Sequence, residues 1–157
     1  MRKILILFLF VLVSCKKEPF INNFNQIDHY QLTNESIEDS EKGFMNVIFE
    51  DYPIKISDTT FFNRINNNYW KINSLNKNKV DKFKKVFNKK DFSCEFDSAC
   101  IPMYRDIYVL KENKKVTGIL KVCYECEMYY FIGQNDKNQK IVEGGNFNSS
   151  IIENILK

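Results

Sequence analysis

Hydrophobic and polar positions along the chain mark out elements of two kinds. Over residues 77–88, Val80, Phe83, Val86 and Phe87 recur at helical spacing with Lys79, Lys82, Lys84 and Lys85 between them, which predicts a helix laying one apolar stripe on a sheet. Residues 106–111 and 116–122 are rich in β-branched and aromatic side chains and flank the polar turn Glu112-Asn113-Lys114-Lys115, a hairpin pattern. Residues 129–133 continue the sheet, 134–140 read as a polar loop, 141–143 as a further strand, and Gly144-Gly145 as its end. A last helix beginning at Ser149 or Ser150 carries Ile151, Ile152, Ile155 and Leu156.

Further towards the amino terminus the pattern is weaker. Ile37, Glu41, Phe44 and Ile48 fit a helical stripe, whereas Met45, Val47 and Phe49 alternate like a strand. Gly43 argues against a continuous helix, so the expectation is a helix or loop before it and a strand after it, stopped by Pro53. Residues 54–57 read as extended, Asp58 as the cap of a helix through Asn66, and Tyr69-Trp70-Lys71-Ile72 as extended. The fold class expected is α+β, an antiparallel β-meander packed against one or more helices.

At the amino terminus, Met1-Arg2-Lys3 precedes an unbroken apolar run over residues 4–13 and then Ser14-Cys15. A basic start, a short apolar stretch and a small residue describe a secretory signal peptide, and ten apolar residues fall short of the roughly 20 that a spanning helix needs. Leu12-Val13-Ser14-Cys15 resembles the lipobox of bacterial lipoproteins. The resemblance implies a diacylglyceryl thioether on Cys15, cleavage before it, and a mature chain held to the cell membrane or outer membrane, facing periplasm or exterior. Lys16-Lys17 after the cysteine, in place of an Asp, fits the outer membrane. The domains expected are a signal peptide over 1–14, a lipidated Cys15 with a tether over 15–33, and one α+β domain over 34–157.

Removing residues 1–14 leaves 21 basic and 20 acidic residues, a net charge of +1, so the basic balance is no sign of a nucleic-acid partner. The lysine-rich helix, with Lys89 and Lys90 after it, reads as the solvated face of an amphipathic helix, with contact to anionic lipid headgroups as the alternative that a tether allows. The partners expected are a membrane, through the Cys15 lipid, and an unknown protein or envelope component.

Four cysteines remain: Cys94, Cys100, Cys123 and Cys126. An even count in an exported chain points to structural disulfides, with three possible connectivities. A single strand register over 116–132 would set Cys126 on the apolar face and Cys123 on a more polar one beside Lys121 and Glu125, so that each needs a partner among Cys94 and Cys100, although a bend at Tyr124-Glu125 would bring the two together. The alternative is a thiol-dependent protein, either a Cys-x-x-Cys oxidoreductase or a zinc module using Cys94, Cys100, Cys123 and Cys126. Glu125 and Glu127 beside the Cys-x-x-Cys pair oppose the thiolate that redox chemistry needs.

His29, the single histidine, lies near the tether and reads as a loop residue, which leaves a catalytic triad without a base. Glu38-Asp39, Glu50-Asp51 and Glu125/Glu127 read as charged surface. The Tyr104-Arg105-Asp106 segment, behind a rigid Pro102, reads as a strand start with an Arg–Asp ion pair. These readings name no catalytic residue and no cofactor, and favour a non-enzymatic binding module stiffened by disulfides.

Overall fold

The computed structural model describes residues 24–32, 42–87, 92–93, 100–134 and 140–156. Among these residues, seven strands form one antiparallel sheet: β1 (Gln26–Leu32), β2 (Tyr69–Ser74), β3 (Phe92–Ser93), β4 (Asp106–Glu112), β5 (Lys115–Cys123), β6 (Met128–Gln134) and β7 (Lys140–Phe147). Their order across the sheet is β2-β1-β4-β5-β6-β7-β3, so β4 to β7 are the expected meander and the earlier strands extend both of its sides. Four helices, α1 (Lys42–Phe49), α2 (Thr59–Asn68), α3 (Lys77–Phe87) and α4 (Ser149–Leu156), complete the α+β fold.

The period-2 alternation of the strands sends side chains to two opposite faces, and both are buried. One face, with Ile27, Tyr108, Leu120 and Phe131, is covered by Val80 and Phe83 of α3 and Ile152 and Ile155 of α4. The other, with Tyr30, Ile107, Ile119 and Ile132, is covered by Phe44, Val47 and Ile48 of α1 and Phe61 and Ile65 of α2. Burial on both sides explains why the central strands are apolar at nearly every position.

Asn113 and Lys114 between β4 and β5 both have positive φ, 49° and 71°, the handedness that matches the twist of a two-residue hairpin. Asn113 exchanges hydrogen bonds with the Asn25 side chain, which ties the turn to the start of β1. Asp58 caps α2 by accepting a 3.0 Å bond from the Phe61 backbone N–H, as expected.

Several local expectations are corrected. Residues 45–49 are helical, because Phe44, Val47 and Ile48 form the buried stripe while Met45 is 40% exposed. Gly43 is the second residue of α1, so the conformational entropy that a glycine costs falls at the end of the helix and not in its interior. Residues 54–57 are bends and a turn rather than extended chain, following a cis Tyr52-Pro53 bond. Gly144 and Gly145 lie inside β7, opposite Tyr130 and Tyr129. Of the two alternatives over 116–132 the bend is the one present: the chain reverses over 124–127 and pairs Cys123 with Met128, with the expected strands on either side.

The tether expected through residue 33 gives way at Gln26 to β1, which lies between β2 and β4. Its Asp28 and His29 interrupt the apolar alternation, and each is paired inside the fold instead. Expectations for the signal peptide, Cys15, Glu38-Asp39 and Cys94 fall outside the described residues.

Candidate functional site

β5 ends at Cys123 and the chain turns back through Cys126, with Glu127 at a φ of 51°. The segment leading into β4 crosses this turn. Its Tyr104 backbone N–H donates to the Ile48 carbonyl of α1, and its Met103 N–H points at the Cys123 sulfur, 3.4 Å away. Cys100 and Cys126, 26 residues apart with Cα atoms 5.8 Å from each other, form a disulfide that closes the crossing. Cys123 is a buried free thiol whose Sγ lies 3.7 Å from Glu125 Oε2. The Cys-x-x-Cys cysteines are therefore not bonded to each other, and two of the sulfurs that a four-cysteine zinc site would need are bonded together.

The face carrying Cys123 is also not the polar face expected. Lys121 sits on it fully buried, because α1 and α2 cover it. The Lys121 ammonium donates to the backbone carbonyls of Glu50 and Tyr52 and lies 4.3 Å from the centre of the Tyr104 ring. Burial pushes its pKa down to about 7, against the pull of Asp51 and Glu50. Tyr130 adds a 2.9 Å bond from its hydroxyl to the Pro53 carbonyl, so the sheet grips the α1–α2 loop at three carbonyls. Alternation with Ile119 and Cys123 marked Lys121 as a face residue, but nothing local showed that helices would close over it.

His29 is a strand residue rather than a loop residue. Its Nε2 lies 2.6 Å from Asp106 Oδ1, with both side chains largely buried, and its ring stacks at 4.5 Å on Tyr108. Asp106 thus meets His29, while Arg105 Nε donates to Met103 Sδ, so the expected Arg105–Asp106 pair is replaced. The Tyr108 hydroxyl is 2.8 Å from that of Tyr124, and burial raises the pKa of both phenols. A carboxylate that fixes an imidazole in this way can serve general-base chemistry or simply satisfy two buried polar groups.

Asp28 faces the opposite layer and is fully buried. Burial by itself raises its pKa, but hydrogen bonds from Lys111, Ser74, Gln26 and Lys71 outweigh that and hold the carboxyl well below the usual range. Glu50, Asp51, Glu125 and Glu127 are exposed, as expected, and Glu127 also accepts from the Ser149 backbone N–H and hydroxyl at the start of α4. Among the described residues, no three His, Cys, Asp or Glu side chains converge to hold a metal ion.

Two features face outward. Trp70 and Ile72 of β2, at one end of the sheet order, are 71% and 44% exposed. A shallow depression of about 180 Å³ lies on the α1–α2 side between Lys55, Ile56, Ser57, Ile132, Gln134 and Lys140. Among the described residues, no helix is long and apolar enough to cross a membrane.

No protein-family model matches the chain, no curated protein does, and no solved structure does.

Proposed function

We propose that this chain is an exported, lipid-anchored envelope protein that works as a non-enzymatic binding module, attached through Cys15. The observation that carries the reading is the Cys100–Cys126 disulfide. Such bonds persist in oxidising compartments, where the export signal at residues 1–14 and the lipobox cysteine would deliver the chain. The bond fastens an otherwise irregular crossing segment onto the β5–β6 turn, which suits a module that must keep its shape outside the cell.

Binding rather than catalysis is supported by where the polar groups are spent. Asp28, Lys121 and the His29–Asp106 pair all face partners inside the fold, whereas Trp70 and Ile72 present apolar surface on an end strand of the sheet. An end strand offers backbone donors and acceptors to an extended segment of a partner protein, with Trp70 as a ready aromatic anchor.

The reading is tested by expressing the full chain and its Cys15→Ser variant in a bacterial host. Intact masses are then measured after alkylation with and without reductant. A diacylglyceryl mass on Cys15 in the membrane fraction, with Cys100 and Cys126 alkylated only after reduction, is the expected result. Unlipidated protein in the soluble fraction, with both thiols reactive from the start, overturns it. A photo-crosslinking residue at position 70 should give a discrete protein adduct in the same cells, and a smear equal to that from a probe at exposed Glu153 argues against the binding role.

A further inference from the structure

Phe24, the first described residue, is sealed under α3, with 2% of its surface exposed, in the cluster that holds Val80 and Phe83. Lys84 Nζ sits 5.1 Å from the centre of its ring. Phe24 is thus the described residue nearest in sequence to Cys15, and it is held at this helix. Eight residues lie between Cys15 and Phe24, and the nine steps from one Cα to the next, at about 3.5 Å each, can span no more than roughly 30 Å.

α3 itself is about 16 Å long, by the rise of 1.5 Å per residue, and carries five lysines against one aspartate. Its apolar stripe is spent on the sheet, while Lys77, Lys82 and Lys85 are exposed and Lys79 and Lys84 half-exposed. A mature chain of net charge +1 thus concentrates +4 on this one helix, which leaves −3 for everything else. The charge is segregated onto the helix beside which the tether begins.

We infer that α3 is a membrane-docking face, whose lysines rest on the anionic headgroups of the bilayer that holds the Cys15 lipid. This rests on the lipid-anchor reading for its geometry. The short tether keeps α3 close to the headgroups, and the field of an anionic surface, which decays within a Debye length of about 8 Å, then acts on lysines rather than on the net-acidic remainder. Docked in this way, the domain has a fixed orientation, with the opposite α1–α2 layer turned away from the membrane.

The experiment uses the mature chain in two forms, acylated on Cys15 and reconstituted, or carrying Cys15→Ser and added from solution. Vesicles are neutral phosphatidylcholine, or phosphatidylcholine with 30% phosphatidylglycerol. The unacylated form is expected to sediment with the anionic vesicles only. Lys82→Glu/Lys85→Glu should weaken that binding by on the order of 25-fold or more, at about fivefold per lysine. In the acylated form, Lys82 and Lys85 should be protected from acetylation on anionic vesicles while Lys55, on the α1–α2 side, stays reactive.

Equal binding to neutral vesicles, binding unchanged in the double variant, or equal protection of Lys55 each overturns the assignment. Circular dichroism confirms that the double variant is folded, which its exposed positions favour. If Cys15 proves unlipidated in cells, the anchor reading fails on its own, and the lysine-dependent binding of the unacylated form still decides whether this face recognises anionic lipid.

Discussion

The Lys121 ammonium lies over the Tyr104 ring at 4.3 Å and within hydrogen-bond reach of two backbone carbonyls, with none of its surface exposed. A cation held by carbonyl dipoles and an aromatic face keeps part of the solvation it lost, and burial still lowers its pKa to about 7. Lys121 is thus the point at which the sheet holds the α1–α2 loop and also a group that titrates near neutrality.

The consequence is a rise in stability with pH. Between about pH 7 and the ordinary lysine value of 10.5, the unfolded chain retains a proton that the folded chain has released. Folding therefore gains up to about 1.4 kcal/mol per pH unit as pH rises through that window, and below about pH 7, where both states hold the proton, the dependence levels off. Urea unfolding of the wild type from pH 6 to 9.5 should show this rise, and Lys121→Met should remove it. An identical slope in the variant would assign the effect to other groups.

Asp28 acts at the other end of the pH scale. Its carboxyl is held below the usual range, so its contribution is complete above about pH 4 and is lost as pH falls below that. Asp28→Asn leaves Lys71 and Lys111 facing a neutral amide and should cost about 3 kcal/mol at pH 7, as expected for a broken buried ion pair. The variant should also show a shallower loss of stability in acid. Chemical denaturation at pH 7 and pH 3 checks both effects, and equal losses at the two values would contradict the charge-based account.

The disulfide closes a loop of 26 residues, for which the chain-entropy account gives about 3–4 kcal/mol. Replacing Cys100 and Cys126 together by Ser should lower the unfolding free energy by that order. The buried Cys123 thiol should stay unreactive towards alkylating reagents until the chain unfolds. Mass spectrometry across a urea titration reads the second point directly: labelling of Cys123 before the unfolding transition would place it on an accessible surface.

At the start of α2, Asp58→Ala should cost about 1 kcal/mol by removing the acceptor for the Phe61 N–H. Asp58→Asn should restore most of it. Thermal unfolding of the two variants compares cap chemistry with a mere change of charge.

What the sequence determined by itself is whatever depends on neighbours along the chain. The helix over Lys77–Phe87, the turn at Asn113-Lys114, the strands beside it and the Asp58 cap follow from spacing and turn chemistry, and the structure has all of them. Tertiary structure decided what depends on contacts across the sheet. β1 hid its nature because Asp28 and His29 occupy inward positions that distant partners make tolerable, Lys111, Lys71 and Ser74 for the one and Asp106 for the other. The helix Lys42–Phe49 was ambiguous because so short a run can satisfy two periods at once, and burial against Tyr69 and its neighbours chose one. Cys126 found Cys100 because the crossing segment and the 124–127 turn meet in space, a relation that no count of cysteines contains. The same holds for α3, whose charge is legible in the chain but whose place above Phe24 is a property of the packed core alone.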